Sequence, residues 1–229
     1  MSLVISTSFP AEMPERTDGV MPFNQATFKP LYSVTKAPDR GGRQQVAELG
    51  TQLWQAQFST PSMYFDEAME IQTVLESLAG GLNLLKIWHP LLKYPMSYPN
   101  GFDGLVRATG GAFDGTCVIS DVDDDLATLT LTHLPNDFKI RLGDMISMPY
   151  EDTQILHRII APATANGSGI VDIRVAPTLP VSFNPHVSPA VWATFFKPWC
   201  LATIDADSID GPFTEGGFGS VTFSAVQTF

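Results

Sequence analysis

The hydrophobic and polar positions of this chain alternate with a period of two over most of its length and switch to helical spacing once. Val46, Glu48, Gly50, Gln52, Trp54, Ala56 and Phe58 share one parity of an extended run, and Ala47, Leu49, Thr51 and Leu53 the other, which predicts a strand. Thr60-Pro61 then reads as a helix start, a capping hydroxyl followed by proline at the first helical position. Ala68, Ile71, Leu75 and Leu78 follow at helical spacing, with Asp66, Glu70, Thr73 and Ser77 on the opposite face. Gly80-Gly81 stops the helix, because glycine enters the left-handed cap without penalty, and Leu82–Trp88 re-enters an apolar strand.

Beyond this strand–helix–strand unit the signals are those of short strands and tight turns. Thr116–Val122, Ala127–His133, Phe138–Met148, Gln154–Ala161 and Gly169–Val175 are strand candidates, the last two paired across Asn166-Gly167-Ser168. Such a run predicts a small closed or partly open barrel of the OB type. His89–Asp114, broken by prolines and glycines, reads as one linker, and the stretch holding Pro177, Pro180, Pro185 and Pro189 as a second. Ala190–Phe196 and Trp199–Ile204 are strand-like, and Gly219–Phe229 alternates with Val221, Phe223 and Ala225 on one face. The best partners for that last strand are the early ones. The expected layout is therefore a discontinuous domain, 1–93 and 188–229, with residues 94–187 inserted. Residues 1–44, rich in proline, read as an extended arm ordered by packing on something else, such as a neighbouring subunit.

Composition narrows the function classes. Hydrophobic residues make up 44% of the 229 and charged residues only 16%, a balance that suits β domains or a protein burying surface against copies of itself. The net charge of −11 argues against nucleic-acid binding, which draws its affinity from Lys and Arg at phosphates. Cys117 and Cys200 lie far apart, set no disulfide framework or metal spacing, and are expected as free buried thiols. The start, Met1-Ser2-Leu3-Val4-Ile5-Ser6, has no basic region or long apolar run, so no secretory signal is expected. No stretch approaches the roughly 18 apolar residues of a membrane span, so the expectation is a soluble protein without membrane contact.

Candidate chemistry is sparse. Asp121-Val122-Asp123-Asp124-Asp125 offers carboxylates, but Leu126 stands where a calcium loop requires glycine and Thr132 where it requires glutamate, so a solvated turn is expected. His89, His133, His157 and His186 have no partners at metal-ligand intervals. Gly167-Ser168-Gly169 lacks the frame of a nucleophile elbow. Gly217-Phe218-Gly219 lacks the third glycine of a dinucleotide fingerprint. Trp54, Trp88, Trp192 and Trp199 suit a sugar-stacking platform or a core, with core the preferred reading because all four fall on strands of the outer domain. No constellation of acid, base and nucleophile emerges: no catalytic residue, metal ligand or cofactor is assigned, and a non-enzymatic role is expected.

The order of parts resembles the distal tail proteins of long-tailed phages, particularly the T-five-type siphophages. The resemblance rests on the strand Gln52-Leu53-Trp54-Gln55-Ala56-Gln57-Phe58, the single helix opening at Ser59-Thr60-Pro61 with Asp66-Glu67, Gly80-Gly81, and the strand ending Trp88-His89-Pro90. The OB-like insertion and the closing strand Ser220-Val221-Thr222-Phe223-Ser224-Ala225-Val226 complete it, and Phe138-Lys139-Ile140-Arg141-Leu142-Gly143-Asp144 before Leu156-His157-Arg158-Ile159-Ile160 looks like other tail proteins of this group. No motif fixes interface residues, and the arm Phe9–Arg43 has no counterpart in the pattern.

The resemblance implies a β-rich fold with a tail-tube-like sandwich or barrel domain carrying one helix, plus the inserted OB-like barrel. It implies a structural virion protein of the tail tip, made in the host bacterial cytoplasm. It implies that copies form a ring, in the family usually hexameric, joining the tail tube protein to the baseplate hub or central fibre protein, with DNA passing through the lumen without specific binding. On that reading part of the −11 is functional, and Asp and Glu are expected to outnumber Lys and Arg on the inner wall. The alternative is a carbohydrate-binding module at the tail tip that reads a host surface saccharide through the insert. A tail-tube or capsid-decoration protein sharing the outer fold is a third reading, disfavoured by the insert.

Overall fold

The computed structural model describes residues 3–4, 10–16, 22–32, 34–38, 41, 43–48, 50, 52–186, 190–214 and 216–228. In chain order the first strands are β1 (Leu3–Val4), β2 (Ala11–Glu12), β3 (Glu15–Arg16), β4 (Gln25–Leu31), β5 (Val34–Pro38), β6 (Gln44–Glu48), β7 (Leu53–Ser59) and β8 (Met63–Tyr64). Helix α1 (Phe65–Ser77) and β9 (Leu85–Trp88) follow. Next come β10 (Thr116–Val122), β11 (Thr128–Thr132), β12 (Lys139–Ile140), β13 (Met145–Tyr150), β14 (Thr153–Ile159), β15 (Ala163–Thr164) and β16 (Val171–Ala176). The chain ends with β17 (Trp192–Thr194), β18 (Trp199–Asp210), β19 (Phe218–Gly219) and β20 (Thr222–Gln227). The fold is mainly β, with one α-helix among the described residues.

Two bodies organise these strands. A six-stranded sheet runs β2-β9-β18-β20-β7-β4, and a closed barrel runs β10-β11-β16-β14-β13-β17. The alternation in the sequence decides which faces are buried. Trp54, Ala56 and Phe58 of β7 and Phe223 and Ala225 of β20 point into one core, where Phe58 sits opposite Phe223 and the rings stack 4.9 Å apart. Helix α1 closes that core with Ala68, Ile71 and Leu75, while Asp66, Glu70, Thr73 and Ser77 face out, as the helical spacing predicts. The helix ends at Ser77, before the expected Gly80-Gly81 stop, and the backbone turns left-handed from Ala79 (φ 50°) through Gly80 (φ 65°) and Gly81 (φ 94°).

The helix begins later than Thr60-Pro61 predicts. Thr60 extends the sheet: its N–H donates to the Val221 carbonyl and its hydroxyl accepts from the Val221 N–H, each at 2.9 Å. A hydroxyl that already serves a neighbouring strand is lost to capping. The helix starts at Phe65, its N-cap Tyr64 lends no side-chain bond, and the Phe65 N–H is met by the Gly217 carbonyl at 2.9 Å.

The strand predicted across Val46–Phe58 also divides. β7 lies inside the sheet, whereas β6 pairs with β5 in a separate two-stranded ribbon, with Val34 opposite Glu48 and Pro38 opposite Gln44. Parity is the same on both sides of the break, so it carries no sign of the change in partner. The stretch read as an arm packs on its own chain: β4 is the sheet edge beside β7, β2 pairs in parallel with β9, and Met13, Phe23 and Phe28 are buried. Of the turn expected at Asp39–Arg43, only Gly41 and Arg43 are described.

The barrel differs from expectation in its pairing and its end. β14 pairs chiefly with β13 and meets β16 only at Arg158–Ala176 and Ile159–Val175, so the expected Gln154–Ala161/Gly169–Val175 hairpin is not the main contact. The Asn166 turn is present, its side-chain oxygen accepting from the Ser168 and Ile170 N–H groups. The barrel is closed by β17, which bridges β10 and β13. The sequence reading assigns that strand to the outer domain; its expected boundary at 187/188 lies outside the described residues. Both expected linkers are packed: Phe102, Phe113, Leu179 and Phe183 join the barrel core, and Tyr98 stacks on Phe138 at 4.6 Å.

Sheet and barrel share a seam. The buried Trp54 donates its indole N–H to the Leu156 carbonyl at 2.6 Å, and the Arg158 guanidinium lies 4.9 Å from the indole centroid. Met145 and Leu156, both on barrel strands, belong to the core of the sheet. Trp54→Phe keeps most of the packing but leaves the Leu156 carbonyl unpaired, an expected loss of about 1–3 kcal/mol. Trp54→Ala is expected to cost about 3–5 kcal/mol. Urea unfolding followed by tryptophan fluorescence and circular dichroism measures both.

Candidate functional site

The acidic run sits where the sequence suggests, at the tip between β10 and β11. The Asp123 N–H donates to the Thr128 carbonyl, and Asp125 accepts from the Ala127 and Thr128 N–H groups at 2.8 Å, bonds that hold its carboxyl below the ordinary range. Each acid is exposed, as in a solvated turn. Among the described residues no group of three or more His, Cys, Asp or Glu converges as metal ligands would. The Ser168 N–H is taken up by the Asn166 turn, and Gly217 serves the helix start through its carbonyl. No helix among them is long and apolar enough to cross a membrane. Both cysteines are free and buried, and burial pushes their thiols up.

The four tryptophans divide. Trp54 and Trp88 are core residues, and Trp199 packs partly buried against the same core under the Lys86 ammonium. Trp192 departs from the core reading: it lies on the barrel strand β17 and is 46% exposed.

Trp192 belongs to a cluster that linear reading misses, because its members come from three separate segments. Arg107 donates to the Thr116 and His133 carbonyls at 2.7 and 2.9 Å and pairs with Asp114 at 2.6 Å. Its guanidinium lies 5.7 Å from the Trp192 ring, and His133 stands 5.7 Å from the same ring on another side. Partial burial works to raise the Asp114 carboxyl, but the Thr116 hydroxyl and N–H and the Arg107 charge outweigh it and hold it low. The arrangement is a fixed aromatic surface beside a cation.

A hollow of about 370 Å³ opens at another part of the barrel, between Tyr150, Glu151, Ser182, Phe183, Asn184 and Val191. Its Tyr150 and Ser182 hydroxyls are hydrogen-bonded at 2.6 Å, and Phe183 is buried, so its rings serve packing more than ligand contact. Gly143-Asp144 also has a structural role. The buried Asp144 carboxylate accepts from the Met96 and Arg141 N–H groups at 2.8 and 2.7 Å, tying the first connection to the barrel.

His157 is the one strongly perturbed histidine among the described residues. Its Nδ1 lies 2.7 Å from the Pro177 carbonyl, which only accepts, so Nδ1 carries the proton. Nε2 is buried without a partner beside a void of about 10 Å³ lined by Gln52, Leu156, Thr178 and Gln227, at the seam between sheet and barrel. Burial drives its pKa down to about 4, against the raising effect of the Pro177 bond.

A folded pKa below the unfolded one means that the unfolded chain takes up the proton first as pH falls. The contribution of His157 is therefore complete above its unfolded pKa of 6.5 and is lost progressively as pH drops toward about 4. The full loss is on the order of 3 kcal/mol. His157→Gln keeps a donor for Pro177 and does not titrate, so its stability is expected to flatten between pH 6.5 and 4 where that of the wild type falls; urea midpoints across that range measure the difference.

The chain matches no protein-family model and no curated protein, which leaves the architecture and the exposed surfaces to speak for its role.

Proposed function

We propose that this protein is a structural ring subunit of a siphophage tail tip, joining the distal end of the tail tube to the baseplate hub or central fibre while leaving a lumen for DNA. The observation that carries this reading is the interrupted sheet. β7 and β9 come from before the barrel and β18 and β20 from after it, and the four lie side by side with one helix packed across them. That is the layout expected of a tail-tube-like domain with an OB-like insert. The reading takes the six-stranded closed barrel as that insert, extended through β17, and the sheet body as the part that builds the ring. A lattice of copies also accounts for the low charge and for the ribbon β5–β6, which is two-stranded among the described residues.

The saccharide-binding alternative gains one observation. The sequence places no tryptophan between residues 95 and 185, yet the barrel includes the half-exposed Trp192 fixed beside Arg107. A half-exposed indole held in place by its neighbours suits the apolar side of a sugar ring. One domain can build a ring while the other reads a glycan.

Gold-tagged antibody against the chain is expected to label phage particles from the source lysate only at the junction of tube and tip. Gold along the whole tube makes it a tube protein, and unlabelled particles reject a virion role. For the barrel, a glycan array is the direct measurement: Trp192→Ala abolishing a signal supports the second reading, and an array blank for the wild type removes it.

A further inference from the structure

Charge is divided unevenly along this chain. Between Gln25 and Gln45 stand Lys29, Lys36, Arg40 and Arg43 against Asp39 alone, +3 in a chain of −11, so the remainder carries −14. Residues 55–85 and 198–229 hold no Lys or Arg, and they supply α1, the greater part of β18, β19 and β20.

The fold brings these cation-free segments side by side, with α1 packed against β18. Asp66, Glu70 and Glu76 lie on the exposed face of α1, and Asp205, Asp207 and Asp210 are exposed on β18. The end of β18 abuts the helix, since a Cβ at Gly211 would stand 2.7 Å from Gln72 Oε1. At the helix start four aromatic side chains are exposed together: Tyr64 meets Phe218 at 5.1 Å and Phe65 meets Phe213 at 4.9 Å, all between 37% and 67% accessible. Single exposed apolar residues are ordinary, but four rings in contact mark a surface that something covers.

The basic segment lies elsewhere. Lys29 is on edge strand β4 and Lys36 on the ribbon strand β5; both are exposed and form no ion pair among the described residues. Leu31 and Tyr32, also exposed, lie between them. The sheet order separates the two surfaces: Lys29 and Leu31 of edge strand β4 sit opposite Gln55 and Leu53, while Asp205 and Asp210 reach Gln57 and Ser59 of β7 only through Ser224 and Thr222 of β20. Three strand spacings put roughly 14 Å between β4 and β18. Within one chain they do not meet.

We propose that the basic ribbon and edge of one copy, Lys29 to Lys36 with Leu31 and Tyr32, dock on the acidic, aromatic-bearing helix face of the next copy. Each surface carries the charge that the other lacks, and both carry exposed apolar side chains. Because the two patches differ, the contact is heterologous, the kind that closes into a ring when the rotation allows. The inference rests on the ring reading for its biological setting and names the surfaces that reading leaves open.

Sedimentation velocity on the full chain tests it. Self-association is expected at about 50 mM NaCl and to weaken at least about tenfold at about 500 mM, as screened contacts do. Lys29→Glu/Lys36→Glu and Asp207→Lys/Asp210→Lys are each expected to weaken association to the same degree at low salt, with wild-type circular dichroism and melting since all four sites are exposed. An equimolar mixture of the two variants is expected to reassociate, because each reversed surface finds its complement on the other chain. Association indifferent to salt and to both variants overturns the proposal; if electron microscopy then still shows rings, the ring reading survives with a different interface. A wild type that stays monomeric at low salt overturns it too, while gold at the tail tip preserves the broader reading. Loss of duplex-DNA binding in the lysine variant with unchanged self-association replaces the proposal with a nucleic-acid role for the ribbon.

Discussion

The indole N–H of Trp54 is a single donor that cannot be buried unpaired, and the acceptor it finds belongs to the other half of the molecule. Its own backbone N–H is held by the Gln227 side chain at 3.2 Å, so the ring is fixed from the sheet side before it reaches Leu156 on β14. Around that bond Met145 and Leu156 pass from barrel strands into the sheet core, and the Arg158 guanidinium covers the indole while reaching toward the Phe28 carbonyl. The second tie is Lys197, which donates to Glu15 at 2.5 Å and lies 5.3 Å from Trp88. A barrel tethered only by two linkers would swing. Sharing part of a core, this one has a set direction relative to the sheet, which any role as a junction between other proteins demands.

Most of the elements were legible in the sequence because burial on one face leaves a period, and the period of the helix and of β20 is clean. What periodicity does not carry is partnership. Val46–Phe58 keeps one parity across two strands that pair with different neighbours. Thr60 has the composition of a cap, yet its hydroxyl goes to Val221 because β20 lies alongside, a fact of tertiary structure. β17 is three residues long, too short to reveal which sheet it completes, so the strand that closes the barrel read as part of the other body. The prolines between residues 89 and 115 and after Ala176 signalled irregular backbone correctly; the aromatic residues among them were the sign that this backbone is packed.

Surfaces were less legible than the fold for a related reason. Trp192, Arg107 and His133 meet only because three segments of the barrel come together, and nothing in the spacing of 107, 133 and 192 announces it. In the Asp121–Asp125 run, conspicuous in the sequence, Asp125 spends its carboxylate on its own turn. Charge was legible in sum, and its segregation could be counted before any coordinates. Its meaning depends on the sheet order, which sets edge strand β4 three strands away from β18.

That separation bears on how a chain of −11 would associate with itself in the proposed ring. Identical acidic bodies repel at a distance, and low ionic strength strengthens the repulsion. Apolar contact between the four exposed rings and a neighbour acts only at close range, so it does not offset the approach. A local patch of opposite sign does, provided it stands clear of its own chain's carboxylates, because a lysine already paired within the fold has little attraction left for a second partner. Placing Lys29 and Lys36 on an edge strand and a ribbon that pairs only with itself meets that condition. In the proposed contact the same placement sets the direction: cations on one sheet edge and carboxylates three strands away favour head to tail over face to face, since like patches repel.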